Sequence, residues 1–126
     1  MKDQFYAYIQ NLQDQICQGL EAVDGSTKFR EDLWNRPEGG GGRTRVIENG
    51  AVFEKGGVNF SHVYGKLPDV LKSETRNADY FHATGVSIVI HPQNPFVPII
   101  HMNVRYFCMS ETAESEITEA WFGGGI

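Results

Sequence analysis

Two extended segments in the second half of the sequence carry polar side chains at alternating positions. Ser87 and His91 belong to the segment 84–91, and His101, Asn103 and Arg105 belong to the segment 99–108. A guanidinium grips a carboxylate at two points, and hydroxyl and amide groups add directional hydrogen bonds without charge. An imidazole moves a proton near neutral pH or binds a transition metal. Together these residue types predict recognition of an anionic organic molecule with proton transfer nearby.

These side chains share a surface only if both segments are strands. In each segment the even-numbered positions are mostly apolar and the odd-numbered positions carry the polar groups, as expected for strands with one buried face. A hairpin that keeps the apolar faces together joins odd positions to odd positions. We expect a register that brings His91 near His101 and Ser87 near Arg105, which forms one polar patch.

Two further arginines, Arg43 and Arg45, follow the glycine run 39–42. We interpret residues 38–45 as a flexible loop whose guanidiniums bind further carboxylates if the loop folds over the polar patch. The alternative is a plain linker with two solvated arginines. The run is no Walker loop, because the Gly-Lys-Ser/Thr sequence is absent. His62 and His82 do not share a strand face with a comparable group of polar residues, and we interpret them as structural residues.

The remaining patterns predict an α+β domain. Apolar residues recur every three or four positions over residues 2–23, followed by Gly25, which indicates an amphipathic helix and its C-terminal cap. Asn49-Gly50 between strand-like runs predicts a hairpin, and residues 58–64 predict another strand. We therefore expect an antiparallel β-sheet covered by helices, including the N-terminal amphipathic helix, with residues 1–126 forming a single domain.

Two connecting regions give weaker signals. Residues 66–82 are polar, with a helical turn expected near residues 69–72. Residues 109–119 contain four glutamates and no basic residue, which favours a solvated loop or a short exposed helix.

The overall charge narrows the classes of partner. The 126 residues include 11 basic and 16 acidic side chains, a net charge of −5. This balance argues against a general nucleic-acid or membrane-surface binder, because both need a broad positive field. No apolar run is long enough for a membrane span and the start lacks a secretion signal, so we expect a cytoplasmic protein. Cys17 and Cys108 are interpreted as free thiols.

Several segments carry a resemblance to a known family. They are residues 34–47, 50–61, 83–92, 101–107 and 121–125, and they include the run His101-Met102-Asn103-Val104-Arg105-Tyr106-Phe107. Together these segments closely resemble the oxygen-dependent coproporphyrinogen III oxidases of haem biosynthesis. The resemblance extends from about residue 29 to the last residues.

The resemblance implies an activity and roles for residues. The substrate would be coproporphyrinogen III, with O2 as co-substrate; two propionates would become vinyl groups, giving protoporphyrinogen IX, CO2 and hydrogen peroxide. His101 would be the proton donor, Ser87, Asn103, Val104 and Arg105 would contact the substrate, and His91 and His101 would be candidate ligands of a divalent metal. No organic cofactor is implied, and two histidines fall short of the three or four ligands usual for a metal site.

The resemblance also implies a larger assembly. Members of the family are well over twice as long and form homodimers, so residues 1–126 are expected to be the N-terminal portion of a larger one-domain oxidase, inactive alone. Two alternatives remain at this point. One is a non-catalytic module that binds tetrapyrroles or carboxylates, and the other is a structural remnant without activity.

Overall fold

A computed structural model describes residues 1–72 and 77–126. The chain forms two helices and six strands in the order α1 (Lys2–Asp24), β1 (Arg30–Asn35), β2 (Gly40–Glu48), β3 (Phe53–Lys66), α2 (Asp69–Lys72), β4 (Tyr80–Pro92), β5 (Ile100–Ser110) and β6 (Ile117–Gly125). The strands form one sheet in which each pairs antiparallel with the next along the chain. The predicted α+β class, with a sheet and an N-terminal helix, is confirmed.

Helix α1 covers one face of the sheet. It ends at Gly25, whose φ of 73° is the left-handed conformation that glycine adopts without strain. Its apolar stripe and the facing strands form one hydrophobic core. The buried members of this core are Ile9 and Cys17 of α1 and, on the strands, Ile47, Phe53, Val58, Phe60, Val86, Ile88 and Ile90. On β3, β4 and β5 the side chains directed at α1 therefore come mainly from even-numbered positions.

Most of the glycine run belongs to strand β2, which corrects the expectation of a loop; only Gly39 lies in the turn before the strand. Residues 40–42 pair with β3, and Gly41 and Gly42 also pair with β1. A Cβ atom at Gly42 would collide with the Trp34 ring, and one at Gly40 would collide with the carbonyl oxygen of His62. The glycines thus allow neighbouring strands and a tryptophan ring to approach closely, which strand patterns based on side chains do not reveal.

Three other elements differ from expectation. Strand β3 continues without interruption from Phe53 to Lys66, where the sequence predicted a separate strand at residues 58–64, and β1 was not predicted. The expected loop or helix at 109–119 is shorter, because β5 continues to Ser110 and β6 begins at Ile117. Asn49, with φ of 55°, forms the turn between β2 and β3 as predicted, and α2 lies where the helical turn was expected.

Candidate functional site

The odd-numbered side chains of β3, β4 and β5 lie on the sheet face opposite α1, which we call the open face. Two neighbouring rows cross this face. In one row Ser61, Gly85, Arg105 and Gly123 stand side by side on β3 to β6, and in the next row Asn59, Ser87 and Asn103 do so on β3 to β5. Side chains from strands distant in sequence thereby meet at the middle of the sheet.

A cleft of about 330 Å³ lies on these rows. Its lining includes Asn59, Ser61, Ser87, Asn103, Val104 and Arg105. The structure thus brings together four of the residues singled out from the sequence as substrate contacts. The side chain of Val104 packs against the core under α1, so its place in the cleft favours a backbone contribution.

The face assignment is right, but the expected register is wrong by two residues. Val89, and not His91, stands opposite His101, and Ser87 stands opposite Asn103. A shift of two residues leaves every side chain on the same face, so alternation alone cannot detect it. His91 lies beyond the last β4–β5 pair and stands opposite Lys55 of β3.

Arg43 and Arg45 lie away from the cleft, which corrects the expectation that they share its face. They occupy odd positions of β2, and even positions of β2 pair with odd positions of β3, so both arginines face α1. The Arg43 guanidinium lies 2.8 Å from Asp14, and that of Arg45 lies 2.7 Å from Asp14 and 2.8 Å from Glu31. The carboxylates of α1 and β1 thus neutralise both side chains.

Arg105 and Asn103 have unused binding capacity. Within residues 1–72 and 77–126, no carboxylate forms an ion pair with Arg105. The Oδ1 atom of Asn103 is buried and accepts no hydrogen bond from any described residue. Buried polar atoms in folded proteins nearly always have a partner. The exposed guanidinium suits a ligand that carries a carboxylate, and the Asn103 amide would have to turn towards the cleft to accept a hydrogen bond from an N–H group of that ligand.

His91 and His101 do not fit a metal centre by themselves. Both imidazoles are exposed on the open face, and their positions along the paired strands differ by two residues, which corresponds to about 7 Å. Among the described residues no group of three or more His, Cys, Asp or Glu side chains is placed to hold a metal ion. The structure brings no third ligand beside the two imidazoles among the described residues, and we consider each imidazole for proton transfer or ligand contact.

Three aromatic rings lie on the open face next to the row of residues that contains Arg105. Phe107 stacks on Phe81 with ring centroids 5.8 Å apart and on Trp121 at 4.8 Å. Phe107 pairs with Trp121 across β5 and β6, one row along from Arg105 and Gly123. This aromatic row was missed from the sequence, although all three rings occupy odd positions. Asn59 and Ser61 were missed as well, because only the pairing of β3 with β4 places them in the cleft.

The other two histidines lie on the face under α1. The rings of His62 and His82 stack with centroids 6.0 Å apart, and the Tyr6 and His62 rings meet edge to face with centroids 4.7 Å apart. Burial lowers the pKa of both imidazoles, to about 4 for His82, with the positive charge of Lys2 adding to the effect. They are separated from the cleft by the sheet.

A comparison with known protein families tests the resemblance that the sequence suggests. A family model described as coproporphyrinogen III oxidase matches residues 4–126. The chain belongs to this family. Membership in the coproporphyrinogen III oxidases indicates an oxidoreductase of porphyrin and haem biosynthesis with coproporphyrinogen as the family's substrate. It gives the open-face cleft a chemical context, since that substrate carries four carboxylates on a ring of four pyrrole N–H groups.

Neither helix in residues 1–72 and 77–126 has the length and apolar character needed to cross a membrane.

Proposed function

We propose that the open-face cleft binds coproporphyrinogen III for the oxygen-dependent decarboxylation of two of its propionates to vinyl groups. The single observation that carries this proposal is the grouping of Ser87, Asn103 and Arg105 around one cleft, with Arg105 unpaired and Asn103 Oδ1 without a donor among the described residues. The guanidinium would hold a propionate at two points. A turn of the Asn103 amide towards the cleft would let Oδ1 accept a hydrogen bond from a pyrrole N–H.

The aromatic row supports a macrocyclic ligand. Phe107 and Trp121 present a stacked apolar surface next to Arg105, and Trp121 is 47% exposed. Apolar ring faces bind favourably to such a surface. A flat or dished tetrapyrrole with acidic arms therefore matches the cleft better than a small, fully polar anion does.

The proposed reaction needs no organic cofactor for electron balance. For each propionate, the C–H bond on the carbon next to the ring and the C–C bond to the carboxylate break, a vinyl group and CO2 form, and the two electrons released reduce O2. One hydrogen comes from the broken C–H bond and one proton comes from an acid, giving hydrogen peroxide. The reductant is the propionate side chain itself, and the macrocycle keeps its oxidation state.

We assign the proton-donor role to His101. Its exposed imidazole stands on the open face two positions along β5 from Asn103, and histidine donates protons readily near neutral pH. Substitution His101→Gln should lower oxygen-dependent turnover of coproporphyrinogen III far more than it weakens binding. Unchanged turnover would remove this role from His101.

Binding is the first test, because it examines the cleft separately from turnover. Titration with coproporphyrin III, followed by tryptophan fluorescence, should show saturable binding that is stronger than binding of its tetramethyl ester. Arg105→Ala should weaken binding of the acid by at least about tenfold, because it removes the charged two-point contact, and leave the ester unchanged. Equal binding of acid and ester by the unsubstituted chain would overturn the proposal.

The alternative function is a binding module without catalysis. The cleft of such a module would bind coproporphyrin III with the same preference for the acid, and it would bind coproporphyrinogen III without oxygen uptake. Oxygen uptake with release of CO2 distinguishes the two functions.

A further inference from the structure

Gly123 on the edge strand β6 stands directly opposite Arg105 on β5. A Cβ atom at Gly123 would lie 3.2 Å from Nε, 3.6 Å from Nη2 and 3.7 Å from Cγ of Arg105. The arginine side chain therefore extends across the place that a side chain at position 123 would occupy. The backbone of β6 forms the floor beneath the guanidinium.

Other glycines near the cleft have a different surrounding. A Cβ atom at Gly85 would lie 2.6 Å from the carbonyl oxygen of Val104, and one at Gly124 would lie 2.5 Å from that of Asn103. At both positions the sheet backbone itself excludes a side chain. At Gly123 the three nearest atoms all belong to the side chain of Arg105, so the sheet tolerates a side chain there and only the arginine must move.

We propose that Gly123 is a positioning residue, which holds the Arg105 guanidinium in place for a substrate carboxylate by leaving the adjacent site on β6 empty. This inference rests on the proposed function, since it requires the substrate to bring a carboxylate to Arg105. A two-point contact between guanidinium and carboxylate depends on the direction of the N–H groups. A sideways displacement of the guanidinium therefore weakens recognition even though the charge remains.

The decisive variants are Gly123→Ala and Gly123→Val. The methyl group of alanine forces Arg105 to move by a few tenths of an ångström, and valine, a favourable residue in strands, forces a larger movement. The valine variant should bind coproporphyrin III about tenfold more weakly, close to the loss expected for Arg105→Ala, with the alanine variant between. Binding of the tetramethyl ester should not change.

Gly57 provides the matched control. It lies on the open face of β3, and a Cβ atom there would make ordinary contacts only, 3.7 Å to Nδ2 of Asn59 and 4.0 Å to the carbonyl oxygen of Arg45. Gly57→Ala should leave the preference for the acid over the ester as it is. A loss as large as that of Gly123→Ala would show a general response of the sheet and would overturn the proposal.

A double substitution separates positioning from direct contact. Because Gly123 acts through Arg105, Gly123→Val should have no further effect on acid binding when Arg105 is already alanine. An equal loss in both backgrounds would overturn the proposal. It would indicate that position 123 meets the ligand directly.

A second readout needs no ligand. The Nε–Hε resonance of Arg105 in an arginine side-chain NMR spectrum should shift in Gly123→Ala and stay in place in Gly57→Ala. An unshifted resonance in Gly123→Ala would overturn the positioning role. If the unsubstituted chain fails to prefer the acid over the ester, the proposed function fails, and the resonance still decides whether Gly123 sets the place of Arg105.

Discussion

Gln13 on α1 and Arg43 on β2 form a reciprocal pair. Nε of Arg43 donates to Oε1 of Gln13 at 2.7 Å, and Nε2 of Gln13 donates to the carbonyl oxygen of Arg43 at 2.6 Å. Gln13 is fully buried and also donates to the carbonyl oxygen of Val58 on β3. One amide thereby joins the helix to two strands, and it accounts for Arg43 as a structural residue.

Removal of this amide should destabilise the fold. Gln13→Leu leaves Nε of Arg43 and the Val58 carbonyl oxygen without their partner, so we expect the free energy of unfolding to fall by about 1–3 kcal/mol. Urea denaturation followed by circular dichroism measures the change. Gln15→Leu, at an exposed position on the same helix, is the control and should shift stability by about 0.5 kcal/mol or less. Equal effects at both positions would contradict this account of the helix attachment.

Arg43 should contribute to stability and Arg105 to ligand recognition. Arg43→Ala should lower the free energy of unfolding, because its guanidinium bonds Gln13 and Asp14, and should leave the preference for coproporphyrin III over its ester unaltered. Arg105→Ala should leave the free energy of unfolding unaltered and weaken the preference for the acid. Parallel urea and fluorescence titrations on both variants test the assignment. If Arg43→Ala, under conditions where it is folded, lost the preference for coproporphyrin III over its ester, Arg43 would belong to the binding site after all.

Asp24 at the end of α1 should govern stability in acid. Its carboxylate accepts backbone N–H bonds from Phe53 and Val52, and these bonds hold its pKa well below the ordinary 3.8. A depressed pKa stabilises the fold above pH 3.8, and this contribution is lost as the pH falls further. The difference in unfolding free energy between wild type and Asp24→Asn should therefore be largest at neutral pH and shrink below about pH 4. A difference that is constant with pH would contradict the role of the charge.

His82 should add a second dependence of the free energy of unfolding on pH. Burial lowers its pKa from 6.5 to about 4, with further effects of Lys2, His62 and Asp3. The unfolded chain therefore binds a proton between pH 6.5 and 4 that the folded chain does not, and stability falls as the pH is lowered through this window. His82→Phe keeps a ring beside His62 and should flatten this slope in denaturation curves recorded from neutral pH down to about pH 4. An unaltered slope would exclude His82 as its source.

Side-chain alternation predicted the faces of β4 and β5 but could not predict their register or the orientation of β2. A two-residue slip preserves the faces, so alternation does not predict that His101 stands opposite Val89. The turn at Asn49 joins even positions of β2 to odd positions of β3, which moves Arg43 and Arg45 under α1. Glycines carry no alternation signal, so the strand character of residues 40–42 was hidden.

The central claim is that a tetrapyrrole carboxylate binds on the open face at Arg105. The most direct measurement is a map of NMR chemical-shift changes on addition of coproporphyrin III to the isotope-labelled chain. We expect the largest changes at Ser87, Asn103 and Arg105, including the Arg105 side chain, with little change at Arg43. Changes concentrated on α1 and Arg43, or no saturable change at the cleft, would contradict it.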